Sequence, residues 1–289
     1  METMEQQLKL TECPRDAMQG IHDFIPTEKK VAYINAILKC GFDTVDFGSF
    51  VSPKAIPQMR DTAEVLEQLD LSLGNSHLLA IVANARGAQD ACVFDEIKYL
   101  GFPFSISETF QQRNANSSIE ESVTRVEEIQ KLCVKNKKEA LVYISMAFGN
   151  PYGDEWNVEM VEKWVRRLAG LGIRTFALAD TIGVSNPENI AYLFSNLIPE
   201  FSSLEIGAHL HTTPGKWEEK VKAAYDNGCR RFDSAIKGYG GCPMASDKLT
   251  GNMPTENLLS WLEKNKVNTG IDKKNFAEAM EAAGQVFPS

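Results

Sequence analysis

Short apolar runs alternate with longer amphipathic segments along most of the chain. The first run, 8–13, precedes residues 27–40, in which Val31, Ile34 and Leu38 recur at the spacing of one helix face. This pairing of a predicted strand with a predicted helix occurs eight times. The predicted strands are 8–13, 44–47, 77–83, 98–106, 140–147, 175–179, 204–209 and 231–235. The predicted helices are 27–40, 56–69, 87–94, 119–134, 157–171, 187–197, 217–227 and 255–264, with an additional helix over 273–284.

Residues that favour helix ends support these boundaries. Ser118 stands three residues before Glu121, which is the spacing of a capping box. Asn186 precedes Pro187 at the start of another predicted helix. Three further predicted helices are followed by a glycine, namely Gly41, Gly172 and Gly228. The local signals therefore agree with the periodic pattern.

Eight strand–helix units with short connections indicate an α/β protein. They favour a (β/α)8 TIM barrel, in which parallel strands close into a ring. We expect one catalytic domain over residues 1–289, with the additional helix at its C-terminus. A doubly wound open sheet is the alternative. Hydrophobic residues form 43% of the chain and charged residues 24%, so a core can form without disulfides.

The net charge and the cysteine content argue against several classes of protein. A formal net charge of −9 argues against sequence-independent binding to nucleic acid or to an anionic membrane, because both need a positive field. The six cysteines include no CxxC pair, which favours reduced thiols. Residues 1–10 lack the apolar core of a secretory signal and the arginine-rich character of a transit peptide. We therefore expect a cytoplasmic protein.

Polar residues of catalytic type follow the predicted strands, at the face where barrels build their active sites. They are Arg15 and Asp16 after strand one, Asp46 at the end of strand two, Asp180 and Thr181 after strand six, His209 and His211 at the end of strand seven, and the glycine-rich segment 238–252 after strand eight. The sequence therefore predicts an active site at this face.

The sequence Ala-His-Leu-His places His209 and His211 two residues apart, so that both side chains point to the same side of a strand. Two imidazoles on one face form half of a metal site, and the chain has only four histidines. Histidines bonded to backbone carbonyls are the structural alternative. Oxygen atoms from Asp16 and Asn252 can complete an N/O site suited to Mg²⁺ or Mn²⁺.

Two further motifs suit carbon–carbon bond cleavage. An isolated Arg15–Asp16 neighbour pair is usually a structural ion pair, but beside the histidines it offers an anionic metal ligand and a cation that can stabilise an enolate oxygen. The sequence Gly-Tyr-Gly-Gly-Cys-Pro exposes Cys242, whose thiol can act as a base if a nearby cation lowers its pKa. A buried structural thiol is the alternative for Cys242. No glycine-rich stretch matches a nucleotide phosphate loop.

Taken together, these segments resemble the 3-hydroxy-3-methylglutaryl-CoA lyase family from Glu12 to Asn257, which is nearly the whole chain. The resemblance is carried by Pro14-Arg15-Asp16 with Gln19, by SFVSPK at 49–54 with PQM at 57–59, by NSSIEES at 116–122, by DTIGV at 180–184, and by the Gly-Gly-Cys-Pro loop that ends at Gly251-Asn252. Such a series, in order and at family spacing, is specific for the fold and the chemistry.

The resemblance implies cleavage of 3-hydroxy-3-methylglutaryl-CoA, or a close branched 3-hydroxyacyl-CoA, to acetyl-CoA and acetoacetate. It implies a divalent cation, Mg²⁺ or Mn²⁺, with the ligands Asp16, His209, His211 and Asn252. It implies catalytic roles for Arg15, Cys242, Asp46 and Asp180. The implied substrate contacts are Arg15, Gln19, Ser49, Asn114 and Thr181. Proteins of this kind act on a small acyl-CoA, and we expect a homo-oligomer, most simply a dimer.

The chain departs from the family pattern at several positions. The family usually has Glu where this chain has Asp46, and an acid where it has Thr212. His22 replaces a basic residue that helps to hold the CoA phosphates, and the cysteine loop is one residue longer before Asn252. These departures bear on which acyl-CoA is used more than on the reaction type.

Two other functions fit parts of the pattern. A related barrel can run the bond-forming direction as a Claisen-type synthase, or act as an aldolase on an oxo acid, although such synthases generally need added domains. A non-catalytic barrel that keeps only metal or ligand binding is the third possibility. The retention of Arg15, Asp16, both histidines and Cys242 argues against it.

Overall fold

Eight parallel strands close into a barrel in the computed structural model, which describes residues 7–241 and 250–287. The described strands are β1 (Lys9–Glu12), β2 (Thr44–Ser49), β3 (His77–Ile81), β4 (Ile97–Ser105), β5 (Glu139–Ser145), β6 (Thr175–Ala179), β7 (Glu205–His209), β8 (His211–Thr212), β9 (Arg231–Ser234) and β10 (Gly251–Asn252). The barrel order is β1-β2-β3-β4-β5-β6-β7-β9, and β9 pairs with β1 to close the ring. The predicted TIM barrel is confirmed, and an open sheet is excluded.

Helices surround the barrel. Those in the described residues are α1 (Pro14–Gln19), α2 (Thr27–Leu38), α3 (Thr62–Glu67), α4 (Ala85–Cys92), α5 (Glu108–Ala115), α6 (Ile119–Lys135), α7 (Val158–Gly170), α8 (Pro187–Glu200), α9 (Trp217–Asp226), α10 (Thr255–Lys264) and α11 (Lys273–Val286). The capping box of Ser118 and Glu121 begins α6, as predicted. Within the described ranges, every helix is too short or too polar to cross a membrane.

The C-terminal helix α11 packs against α2, which confirms the additional helix. Ala279 and Ala283 are fully buried on its inner side. The rings of Tyr33 and Phe287 meet edge to face, with centroids 5.6 Å apart. These contacts cover the outer surface of α2, so the terminal helix belongs to the packed core.

The barrel interior is apolar in the middle and charged at the N-terminal ends of the strands. The apolar layer consists of Leu79, Ile81, Tyr99, Leu141, Tyr143 and Ala177. Below it, Arg231 is almost fully buried, and its Nη1 donates to Glu205 Oε1 at 3.1 Å. A Cβ at Gly207 would lie 2.9 Å from the Arg231 side chain, so a glycine at this position makes room for the guanidinium.

Local structure differs from the prediction chiefly in its short helices. The predicted helix over 56–69 is divided into a 3-10 turn at Pro57–Met59 and α3. The short helices α1 and α5 were not predicted. A helix of six residues, such as α1, is too short to show a periodic pattern. Helix α5 is mostly polar, and only Phe110 and Gln111 in it are buried.

Glu12 is a fully buried carboxylate on the outer side of the barrel wall. Its Oε1 accepts a hydrogen bond from Ile236 N at 2.8 Å, and its Oε2 accepts one from Thr255 Oγ1 at 2.6 Å. Glu12 therefore ties β1 to both ends of the segment that follows β9. Burial raises the pKa of Glu12 to about 8, although these two hydrogen bonds lower it.

The buried Glu12 carboxyl makes stability depend on pH. Its pKa is higher in the folded chain than in the unfolded chain, so its contribution is complete below about 4.5 and is lost as pH rises through about 8. We expect Glu12→Gln to become more stable relative to the wild type between pH 5 and pH 9, by on the order of a few kcal/mol. Urea unfolding at both pH values measures this difference. The exposed Glu28→Gln is the control, and parallel stability curves for wild type and Glu12→Gln would contradict the expectation.

Candidate active site

The short helix α1 places two charged residues at the C-terminal face of the barrel. It begins with Pro14, one residue after β1, at a helix position where the backbone N–H that proline lacks would have no partner within the helix. Arg15 and Asp16 follow, and both are buried, at 7% and 8% exposure. The predicted pair is therefore carried by a helical turn at the end of the strand.

The Arg15 guanidinium is fixed by three side chains. Its Nε donates to Asp46 Oδ1 at 3.1 Å and its Nη2 to Asp46 Oδ2 at 2.5 Å. Its Nη1 donates to Asp16 Oδ1 at 3.0 Å and to Gln19 Oε1 at 2.9 Å. A guanidinium has five N–H groups, so one of them, on Nη2, has no partner among residues 7–241 and 250–287. The geometry leaves this group for an oxygen atom of a ligand.

Asp46 at the inner wall of the barrel is the counter-ion of Arg15. Burial raises the pKa of Asp46 to about 6, and the charge and hydrogen bonds of Arg15 only partly offset the effect. This carboxyl is still largely ionised at pH 7. Burial lowers the pKa of Arg15, but the two acids Asp46 and Asp16 together raise it overall, so the guanidinium stays charged.

Two histidines converge on Asp16 from the end of β7 and from β8. One ligand atom from each of Asp16, His209 and His211 lies within 4.8 Å of the others. His209 Nε2 is 4.0 Å from Asp16 Oδ2, and the two imidazole centroids are 5.3 Å apart. The structure therefore brings the three predicted ligands together.

Asn252 reaches the same place through a short hairpin. Strand β10 pairs antiparallel with β8, and the register sets Asn252 opposite His211. Asn252 Nδ2 donates to Asp16 Oδ2 at 2.6 Å and to Tyr239 O at 2.8 Å. The sequence analysis placed His211 at the end of strand seven and Asn252 in the segment after strand eight. It did not predict their pairing, because a strand of two residues has no detectable pattern.

The site fits a divalent cation. Both ring nitrogens of His211 are buried, and neither makes a hydrogen bond of good geometry within the described ranges, although the backbone of Thr181 lies near the ring. Such burial is costly unless a ligand or ion meets the free nitrogen. The carboxylate of Asp16 and the two imidazoles form a mixed N/O donor set, and the amide of Asn252 adjoins it, with its Nδ2 toward Asp16. Burial, followed by the charge of His209, lowers the pKa of His211 to about 4. At neutral pH its imidazole is uncharged, as metal binding requires.

The ionisation of Asp16 also suits metal binding. Its burial raises the pKa, but Arg15 and the two histidines outweigh burial, so that the pKa is lowered overall. Arg15 and Asn252 support the carboxylate, and Gln19 Nε2 donates to its Oδ1 at 2.8 Å. Asp16 is therefore an anion with a fixed orientation.

Asp233 and Tyr143 are neighbours of the site that sequence reasoning did not single out. Asp233 Oδ2 lies 3.2 Å from His209 Nδ1, and Tyr143 packs edge to face on the same imidazole at 5.5 Å. Burial lowers the pKa of His209, but Asp233 and Asp16 raise it above its usual value overall. Asp233 follows Phe232 at an inward position of β9, and only this strand alternation could have indicated it.

Asp180 is buried behind the histidines. Its Oδ2 accepts hydrogen bonds from Lys220 Nζ at 2.9 Å and from Ser185 Oγ at 2.5 Å. Lys220 Nζ also donates to the backbone oxygen of His211 at 2.7 Å. Asp180 therefore supports the strand that carries His211, and the buried Lys220 is a residue that sequence reasoning missed. Thr212, at the usual position of an acid, donates to the backbone of Thr213 at 3.1 Å.

The remaining predicted site residues lie in different surroundings. Thr181 Oγ1 accepts a hydrogen bond from the backbone N–H of Met146 at 2.8 Å. The buried Ser49 hydroxyl accepts one from Val51 N at 3.2 Å. Asn114 is exposed on α5. Their predicted contacts with substrate remain predictions.

Cys242, the predicted proton-transfer residue, lies outside the described residues. The glycine segment before it packs directly on the candidate metal centre. Gly240 has a φ of +88°, and a Cβ there would lie 2.6 Å from Asp16 O and 2.7 Å from Asn252 Nδ2. Only glycine combines this backbone conformation with such a close approach.

Comparison with known proteins places the sequence in one family. The family model described as HMGL-like matches residues 9–282. The hydroxymethylglutaryl-CoA lyase YngG of Bacillus subtilis is 31% identical over 288 residues, which covers 96% of this chain and 93% of that protein. The cytoplasmic 3-hydroxy-3-methylglutaryl-CoA lyase of Homo sapiens is 32% identical over 93% of this chain and 71% of that protein.

A solved structure is similar over almost the whole chain. The HMG-CoA lyase of Acinetobacter baumannii, in complex with coenzyme A and 3-methylmalate, superposes with a TM-score of 0.90 at 31% identity. The match covers 99% of this chain and 93% of that chain.

The close approach of Gly240 to the candidate ligands gives a test of the site. We expect Gly240→Ala to weaken Mn²⁺ binding by about tenfold or more, because the new Cβ displaces Asp16 or Asn252. Titration calorimetry with Mn²⁺ measures the affinity. Gly270→Ala is the matched control, since Gly270 has a φ of +70° and no atom within 4 Å of its Cβ. Both variants carry a strain of roughly 1–2 kcal/mol, so equal Mn²⁺ affinities in the two variants would place the metal elsewhere.

Proposed function

Because the chain belongs to the HMGL-like family, we propose that it is a divalent-metal-dependent carbon–carbon lyase. Its substrate is 3-hydroxy-3-methylglutaryl-CoA, which it cleaves to acetyl-CoA and acetoacetate, or a close branched 3-hydroxyacyl-CoA cleaved in the same way. The similarity in sequence to proteins named hydroxymethylglutaryl-CoA lyase supports this substrate. The coenzyme A complex of the similar Acinetobacter enzyme supports an acyl-CoA.

The observation that carries the proposal is the position of the Arg15 guanidinium. It adjoins the Asp16 and histidine cluster, and one of its N–H groups has no partner in the described part of the chain. A thioester enolate develops negative charge on its oxygen as the carbon–carbon bond breaks. A preorganised, water-poor cation beside that oxygen stabilises the transition state more than the substrate.

Asp16, His209, His211 and Asn252 would hold the cation, for which we propose Mg²⁺ or Mn²⁺. When bound, a cation of this kind lowers the pKa of a coordinated hydroxyl group and orients it. The carboxylate of Asp16 adjoins both the histidines and Arg15. It therefore sets the distance between the metal site and the Arg15 guanidinium.

The chemistry balances without an external oxidant or reductant. The tertiary hydroxyl of the substrate gives up its proton to a base, and the alkoxide electrons form the ketone of acetoacetate. The electron pair of the broken carbon–carbon bond passes to the thioester fragment as an enolate, which takes up a proton to give acetyl-CoA. We assign proton transfer to Cys242, and Asp46 holds Arg15 in place throughout.

Substitution of Arg15 tests the proposed function. We expect Arg15→Met to reduce kcat by about 10²–10³-fold or more, because an oxyanion-stabilising group acts mainly in the transition state. Coupled detection of acetoacetate released from 3-hydroxy-3-methylglutaryl-CoA is the assay. Arg174→Met is the control, since this exposed arginine precedes β6 at the opposite end of the barrel and, in the part of the chain that the structure describes, donates to backbone oxygens. Near-normal turnover by Arg15→Met would rule out the role.

Removal of the metal separates the lyase from the alternatives. After chelation, acetoacetate release should cease and should return when Mg²⁺ or Mn²⁺ is added. A lyase releases acetoacetate without an acyl acceptor, whereas a synthase does not. Bound metal without turnover on any short branched acyl-CoA would instead indicate a binding protein.

A further inference from the structure

We propose that Asp233 is a positioning residue for this reaction, which fixes the proton of His209 on Nδ1 and so leaves Nε2 free for the divalent cation. This inference rests on the proposed function, because it assumes that the cation binds at Asp16 and the histidines. It adds a residue outside the candidate ligand set. It also explains why only the Nε2 atom of His209 is available to bind the metal.

The contact between the two side chains follows from the barrel register. Strand β9 lies beside β7, and the pairing sets Asp233 next to His209. Asp233 Oδ2 is 3.2 Å from His209 Nδ1, and the Asp233 side chain is 1% exposed. An ionised carboxylate can only accept hydrogen bonds, so Nδ1 must carry the proton in this pair.

The opposite nitrogen of His209 faces the candidate metal centre. Its Nε2 is 4.0 Å from Asp16 Oδ2. A neutral imidazole with its proton on Nδ1 presents a lone pair at Nε2. The tautomer that Asp233 selects is therefore the one that can share a cation with Asp16.

A second group of potential metal ligands lies on the Nδ1 side of His209. In this group, atoms of Cys13, His209 and Asp233 lie within 4.8 Å of one another. His209 would join that group through its Nδ1 atom. The group contains the thiol of Cys13, and thiols favour softer metals. When Asp233 holds a proton on Nδ1, that nitrogen cannot bind a metal ion.

Arg231 adds a positive charge beside Asp233 in the barrel interior. It precedes Asp233 by two residues on β9, so both side chains point into the barrel. Arg231 is 1% exposed, and its positive charge stabilises the Asp233 carboxylate. Its Nη1 is anchored by Glu205 at 3.1 Å at the end of the barrel remote from the metal. The charged layer at the base of the barrel therefore supports the orientation of a ligand at its top.

Two measurements on the full chain test the proposal. In the metal-free wild type, two-dimensional ¹⁵N–¹H NMR of the imidazoles, assigned with His209→Gln and recorded as the pH is raised until the His209 ring is neutral, should show His209 as the Nδ1–H tautomer. In Asp233→Asn, which removes the negative charge at nearly constant volume, the Kd for Mn²⁺ should rise by about 10–100-fold. At saturating Mn²⁺, kcat should largely recover and KM for the acyl-CoA should stay within about twofold, because the variant retains every ligand.

A matched control separates positioning from general loss of structure. Asp61→Asn also removes a buried carboxylate, which is bonded to Lys30 at 2.6 Å and to Thr27 at 2.8 Å and lies outside the ligand cluster. It should reduce stability with no change in Mn²⁺ affinity. A purely structural role for Asp233 predicts that both variants behave alike.

Each outcome decides the question. An Nε2–H tautomer in the wild type, or an unchanged Mn²⁺ Kd in Asp233→Asn, overturns the proposal. If Asp233→Asn does not fold, the tautomer of the wild type decides alone. Mn²⁺ binding without acetoacetate release in the wild type refutes the proposed function and leaves the tautomer result standing, so the two failures can be told apart.

Discussion

The ion pair between Arg15 and Asp46 is the interaction on which the candidate site depends. Burial of a guanidinium is costly, and acceptors that meet its N–H groups reduce that cost. Asp46 takes two of them side by side, and Asp16 and Gln19 take two more. These bonds fix the plane of the guanidinium, which decides where its remaining N–H group points.

The barrel makes this arrangement possible by bringing distant parts of the chain to one rim. Arg15 follows β1 and Asp46 belongs to β2, its neighbour in the ring. His209 ends β7, which is joined to β1 through β9. The site therefore spans the seam where the first and last strands meet, and closure of the ring is a condition for its assembly.

Much of the fold could be predicted from the sequence because each strand and long helix has a clear period. Helix α10 and strand β6 have the predicted bounds, and the capping box of Ser118 marks the start of α6. The brief elements could not be predicted. Helix α1 has six residues, and strands β8 and β10 have two each, so no periodic signal exists for them.

The candidate site was predictable to the extent that its residues have distinctive chemistry. His209 and His211 attract notice as a pair among four histidines, and the structure sets them beside Asp16. Asp233 and Lys220 could not be found in this way. Acidic and basic residues are common along the chain, and only the strand register and helix packing show that these two are buried against the histidines.

The single helical turn of α1 has a further consequence for how such a site can adapt. Arg15 and Asp16 are neighbours on one helical turn and are bonded to each other, so the span between the proposed enolate-stabilising group and the proposed metal ligand depends little on the surrounding loops. A change in acyl preference would then come from the other segments at this rim. The spacing between Arg15 and Asp16, which face the reacting carbons in the proposed reaction, would stay the same.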